Sequence, residues 1–102
     1  MSQVMTYYAV IREPGASWDA SRTLREQEKW AEHAGFMEAL VDDGFVLQGG
    51  PLEGGPKTLL IVKAESEQAI ISRLADDPWT PMGMLRIATI ERWEVLLDDW
   101  PG

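Results

Sequence analysis

Two short runs of this chain are apolar at every position, not at every second one. Tyr7-Tyr8-Ala9-Val10-Ile11 and Leu59-Leu60-Ile61-Val62 are rich in β-branched and aromatic residues, and both are too short to be buried helices. The first reads as a strand over Met5–Arg12, closed by Glu13-Pro14-Gly15, and the other as a strand over Thr58–Val62. Successive side chains of a strand point to opposite faces, so strands of this composition need cover on both sides of their sheet.

The intervening segments supply the other elements. Residues 13–22 read as a loop carrying Trp18. Thr23 with Glu26 three residues on fits a capping box, which places a helix start at Leu24. Apolar residues then recur at Trp30, Phe36, Met37, Leu40 and Val41, a helical spacing, and Gly44 can take the left-handed conformation that ends a helix. Phe45–Gln48 reads as a short strand that exits through the loop-forming Gly49-Gly50-Pro51, with a second Gly-Gly-Pro at Gly54–Pro56. Ser66 is a natural N-cap for a helix carrying Ala69, Ile70, Leu74 and Ala75, which Pro78 stops near Asp76-Asp77. Trp79–Leu85 reads as a compact connector and Arg86–Leu97 as a long last strand. Its imperfect alternation predicts a bulge, and the tail from Asp98 to Gly102 is expected at the surface.

The order β-α-β-β-α-β predicts an α+β, ferredoxin-like fold: a four-stranded antiparallel sheet with two helices on one face. The 102 residues make one domain, 1–102, with no chain left to cover the second sheet face. The expected solution is a homodimer packed sheet to sheet; a monomer with a partly apolar open sheet is the plainer alternative.

Seventeen acidic against nine basic residues give a net charge of −8. The two halves, 1–51 and 52–102, each carry −4 (4 against 8, and 5 against 9). With no basic patch or arm, nucleic acid is not an expected partner, and an anionic membrane surface is disfavoured for the same reason. No apolar run approaches a membrane span and no signal-peptide pattern opens the chain, so a cytoplasmic location is expected. The absence of cysteine removes thiol nucleophiles, disulfides and Cys-based metal sites, and a single histidine leaves no metal set. No cofactor is expected.

That histidine, His33, stands three after Trp30 and three and four before Phe36 and Met37, on or beside the apolar stripe. It reads either as a core-edge residue bonded to a backbone carbonyl or as a general acid/base, since imidazole titrates near neutrality. Asp77 is either the ordinary start of an Asp-Pro turn or a carboxylate that approaches the first helix and orients the imidazole. Gly49–Leu52 lacks the pattern of a phosphate loop; Gly50 and its neighbours serve as a strand exit or offer backbone N–H groups to an anion. Tyr7, Tyr8, Trp18, Trp30, Trp79 and Met82 form either core or the lining of an apolar pocket.

These residues taken together resemble the YCII-related (YciI-like) family. The likeness is carried by Tyr7-Tyr8-Ala9-Val10, His33-Ala34-Gly35-Phe36-Met37, Asp43-Gly44-Phe45, Gly49-Gly50-Pro51-Leu52 and Ala75-Asp76-Asp77-Pro78-Trp79, in that order over residues 5–97. The resemblance implies a dimeric α/β barrel with a His–Asp pair, here His33 and Asp77, in a cleft near the dimer interface. The connection 13–23 is longer than the shortest members of that family need, which implies a loop able to cap the cleft and alter its substrate.

The expected function is an enzyme without redox cofactor or metal that moves a proton on a small organic molecule, by isomerisation or by elimination of the lyase type. His33 would be the acid/base and Asp77 its partner, with Tyr8, Gly50, Pro51 and Trp79 shaping the substrate pocket. The alternative is a non-catalytic dimeric module that binds a ligand or a protein.

Overall fold

The computed structural model describes residues 5–97, and the expected surface tail at 98–102 lies outside them. Its order is β1 (Thr6–Pro14), a single 3-10 turn (Leu24–Glu26), α1 (Trp30–Asp42), β2 (Val46–Pro51), β3 (Thr58–Ala64), α2 (Glu67–Leu74), a four-residue α3 (Trp79–Met82) and β4 (Leu85–Arg92). The four strands form one sheet in the order β2-β3-β1-β4, with every neighbouring pair antiparallel. This is the ferredoxin-like α+β arrangement expected from the order of elements.

The two apolar runs take the two central places. Tyr8, Val10 and Arg12 of β1 stand opposite Val62, Leu60 and Thr58 of β3. All six are buried. Leu40 of α1 and Ile70 and Leu74 of α2 complete this core with Val46 and Phe45, so both helices cover that one face. A second, smaller cluster lies at the end of the sheet, where Trp79, Met84 and Leu85 pack with Trp18, Leu24, Trp30 and Met82. On the other face Tyr7 is exposed, Ala9, Ile11 and Leu59 are half-buried, and Ile61 is nearly covered. No further element of residues 5–97 forms a second layer there.

Several boundaries differ from the expectation. The capping box is present, but it closes only the 3-10 turn. Gln27 then turns extended, because its buried side chain accepts from the Asp19 N–H (3.1 Å) and donates to the Asp19 and Arg22 carbonyls (2.7 and 3.1 Å). Lys29 has a φ of 60°, and α1 proper begins only at Trp30. Satisfaction of one glutamine by backbone five and eight residues back in the same loop therefore overrides the capping signal. Gly49-Gly50-Pro51, expected as an exit loop, belongs to β2 and pairs with Leu60, Leu59 and Thr58. Proline is tolerated there because β2 is an edge strand. Val41, placed on the apolar stripe, is 51% exposed, because the covered stripe runs through His33, Phe36, Met37 and Leu40.

β4 is shorter than expected and stops at Arg92. The expected bulge is there: Ile11 pairs with Thr89 but Arg12 with Ile87, leaving Ala88 unpaired. Ser66 caps α2 as expected, its Oγ accepting from the Ala69 N–H at 3.1 Å.

The β1–α1 connection is tied to the start of β4 through glycine. Gly15 N–H donates to Met84 O (2.9 Å) and Ser17 N–H to Gly83 O (3.0 Å). A Cβ on Gly15 would fall 2.8 Å from the Gly83 carbonyl carbon, closer than backbone can yield. Gly15→Ala is expected to destabilise the protein by about 1–3 kcal/mol, the cost of overpacking. At Gly50 an added Cβ meets open space, so Gly50→Ala should stay within about 0.5 kcal/mol of wild type. Urea unfolding of the two variants checks both.

Candidate active site

Asp77 is placed by the end of α2. Its N–H closes a turn onto Leu74 O (3.1 Å), and its Oδ1 accepts the Trp79 N–H at 2.9 Å across Pro78, an Asx turn that starts α3. Thr80 Oγ1 locks the corner by donating to Leu74 O (2.7 Å). The Asp-Pro pair thus does form a turn, and that turn points the carboxylate inward: Asp77 is fully buried.

His33 lies on the inner stripe of α1, one turn before Met37. Its Nδ1 is 2.9 and 2.8 Å from Oδ1 and Oδ2 of Asp77. The expected alternative, a bond to a backbone carbonyl, is not what holds this ring. A carboxylate only accepts, so Nδ1 carries a hydrogen, and in the neutral form of the ring Nε2 is the lone-pair nitrogen. The His33 side chain keeps 8% of its surface accessible against 0% for Asp77. Of the pair, only the imidazole can meet a ligand.

Arg12 is the third member. It comes up from β1 and donates from Nη1 to Asp77 Oδ2 at 3.0 Å, with Nη2 3.4 Å from Met37 Sδ. It is 3% exposed. Burial pushes the pKa of its guanidinium down, and the bond to Asp77 with the opposite charge opposes that. For Asp77, burial pushes the carboxyl upward. The bonds from His33 and the Trp79 N–H, the His33 charge and the Arg12 bond outweigh it and hold the pKa below the ordinary carboxylate range.

Trp79 fixes the plane of the imidazole. The two rings are stacked with centroids 3.9 Å apart and 8° between their planes. The indole is itself held by Nε1 donating to Glu28 O (2.6 Å) and by Trp18 packed edge-on at 5.8 Å. Trp30 is tilted against both His33 (5.7 Å) and Trp79 (5.8 Å). Trp18, Trp30 and Trp79 thus form core, and that core is the wall of the site, whereas Tyr7 is exposed on the open sheet face and Tyr8 belongs to the main core.

His33, Asp77 and Trp79 are brought together. Tyr8 sits in the main core, 6% exposed, in register with Val62. Gly50 and Pro51 stand on edge strand β2 and line clefts of their own. Arg12 was missed by reasoning from sequence, although a signal exists. It follows Tyr8 and Val10 at two-residue steps, so it points into the same core. A guanidinium on an inward-facing strand position calls for a buried carboxylate. Among the described residues no group of three or more His, Asp or Glu is arranged to hold a metal, and no helix is long and apolar enough to cross a membrane. In comparisons with known proteins, no family model, no curated protein and no solved structure matches this chain.

Removing the carboxylate would strand a buried cation. Asp77→Ala is expected to cost about 3–5 kcal/mol of stability. The folded pKa of Asp77 lies below its unfolded value of about 4. Its ion pairing therefore contributes fully above that pH and is lost as pH falls through the folded pKa. Asp77→Asn should flatten the acid limb of a stability-versus-pH curve measured by chemical denaturation.

Proposed function

We propose that this protein is a small-molecule enzyme in which His33 is the general acid/base and Asp77 the residue that holds it in position. The observation that carries the reading is the bond from His33 Nδ1 to both oxygens of a fully buried, ionised Asp77. It fixes the tautomer and points Nε2 away from the carboxylate. Arg12 and the Trp79 N–H keep the carboxylate charged, so it can stabilise the imidazolium that forms when Nε2 takes a proton.

The reaction class that fits is proton transfer on a small organic molecule. Nε2 would remove a proton from carbon. It would then return it to another carbon, an isomerisation, or the electron pair left on carbon would expel a leaving group, an elimination. The resemblance to the YCII-related family, on His33–Met37 and Ala75–Trp79, supports the same pair. It also supports assembly as a two-fold dimer through the open sheet face. That face offers Tyr7, Ala9, Ile11, Leu59 and Ile61 between charged margins at Lys63 and Glu91, and a second copy presents the same surface to it. A non-catalytic reading has one observation in its favour: a His–Asp–Arg network this enclosed can serve stability alone.

Turnover separates the two. Wild-type protein in D2O, offered a panel of small enolisable carboxylic acids and lactones, should place deuterium at carbon as followed by NMR. His33→Gln should slow this by a factor of about 10²–10⁴. Equal exchange by wild type and variant would leave the network structural. Sedimentation velocity should show a dimer, and Leu59→Glu should convert it to monomer while the protein remains folded.

A further inference from the structure

A groove of about 450 Å³ lies beside edge strand β2, and Leu59 and Ile61 of β3 line it together with Gln48, Gly50 and Leu52. Leu59 and Ile61 alternate with the buried Thr58, Leu60 and Val62, so the groove is on the open sheet face, away from the helices. At Gly50 the rim is low: a Cβ there would meet nothing within 4 Å. Among the described residues no charged group lines the groove, but two lysines bracket it. Lys57 stands two residues before Leu59 and Lys63 two after Ile61, and both are exposed. They are two of the three lysines in a chain of net charge −8. β2 has β3 as its one neighbour in the sheet, so the outer side of its ladder is open to another strand.

The segment after β4 has the complementary pattern. Trp93 N–H still donates to Tyr7 O at 2.9 Å. Beyond it Leu96 and Leu97 are 79% and 93% exposed, the most exposed large apolar side chains among the described residues. Adjacent leucines this open to water mark a surface meant to be covered. Their exposure also shows that neither lies in the groove of its own chain, and β4 and β2 are opposite edges of the sheet. In sequence the leucines stand between Glu94 and the pair Asp98-Asp99. An apolar step between acids thus matches an apolar floor between lysines.

We propose that residues 95–97 of one copy dock into the groove beside β2 of a second copy, with the flanking acidic and basic residues setting their position. The exchange is reciprocal about a two-fold axis: each copy gives one segment and receives one. Leu59 and Ile61 belong both to the groove and to the face read above as a dimer surface. The inference rests on that dimer, and it adds which segment of the second copy covers the β2 edge.

The chain has no cysteine, so engineered thiols report the contact without background. A ¹⁵N-labelled Gln48→Cys chain is mixed with an unlabelled Leu96→Cys chain and oxidised. Both positions are exposed, so the core is spared. Intact-mass measurement should find the mixed disulfide at least tenfold above either like-with-like disulfide. Adding Leu97→Asp to the Leu96→Cys chain, again at an exposed position, should cut the mixed disulfide at least tenfold. Like-with-like disulfides in equal yield, or a mixed yield that Leu97→Asp leaves unchanged, would each overturn the proposal. So would an internal disulfide in a monomeric chain carrying both cysteines, since the segment would then serve its own groove. Sedimentation velocity on the wild type keeps the two readings apart. A dimer whose cysteine variants give no mixed disulfide ends this contact and leaves the sheet-face dimer standing; a monomer ends both.

Discussion

A carboxylate closed off from water must be surrounded by donors or it will not stay charged. Asp77 meets that requirement from three parts of the chain at once: the imidazole of α1, the guanidinium of β1 and the backbone N–H of the next turn. Each of these donors is in turn committed to the carboxylate, so the first strand, the first helix and the α2–α3 corner are joined at one point. Arg12 could not sit on the inner face of the sheet without Asp77, and Asp77 could not be buried without Arg12 and His33. The small second core cluster around Trp79 is built against this ionic center and shields it from water.

The fold explains why such a center can exist in so short a chain. The main core lies under the middle of the two helices, and its residues are apolar from Tyr8 to Leu74. The ionic group is displaced to the sheet end, where the β1–α1 connection, the α2–α3 corner and the start of β4 converge. There Gly15 and Gly83 bring two backbones close enough for Gly15 N–H and Ser17 N–H to reach the strand that follows α3. The connection that carries Trp18 is thereby held over the site. That loop is at once a wall of the aromatic stack, through Trp18, and part of the lining of a cleft beside the β2–β3 hairpin.

Much of the fold was legible in the chain, for local reasons. Two runs apolar at consecutive positions named the central strands, Ser66 and Pro78 bounded the second helix, and irregular alternation marked the β4 bulge. What misled was local chemistry with a stronger competitor, in the neighbouring loop or in the sheet. The capping box at Thr23–Glu26 does form, but Gln27 finds better partners in Asp19 and Arg22. Two glycines and a proline looked like a loop, but an edge strand needs only one side of its ladder. For the site, His33 and Asp77 stood out by type and by resemblance, while Arg12 was hidden inside an otherwise apolar strand.

The sequence by itself determined the order of the strands and the two main helices, the inner stripe of the first helix apart from Val41, and the presence of one imidazole with no thiol beside it. These follow from periodicity and composition, which act over a few residues. Only the tertiary structure decided that His33 and Asp77, 44 positions apart, share a hydrogen bond, and that Arg12 joins them. Such meetings depend on strand register and on where a turn aims its side chain, and both are settled by packing the whole sheet against its helices.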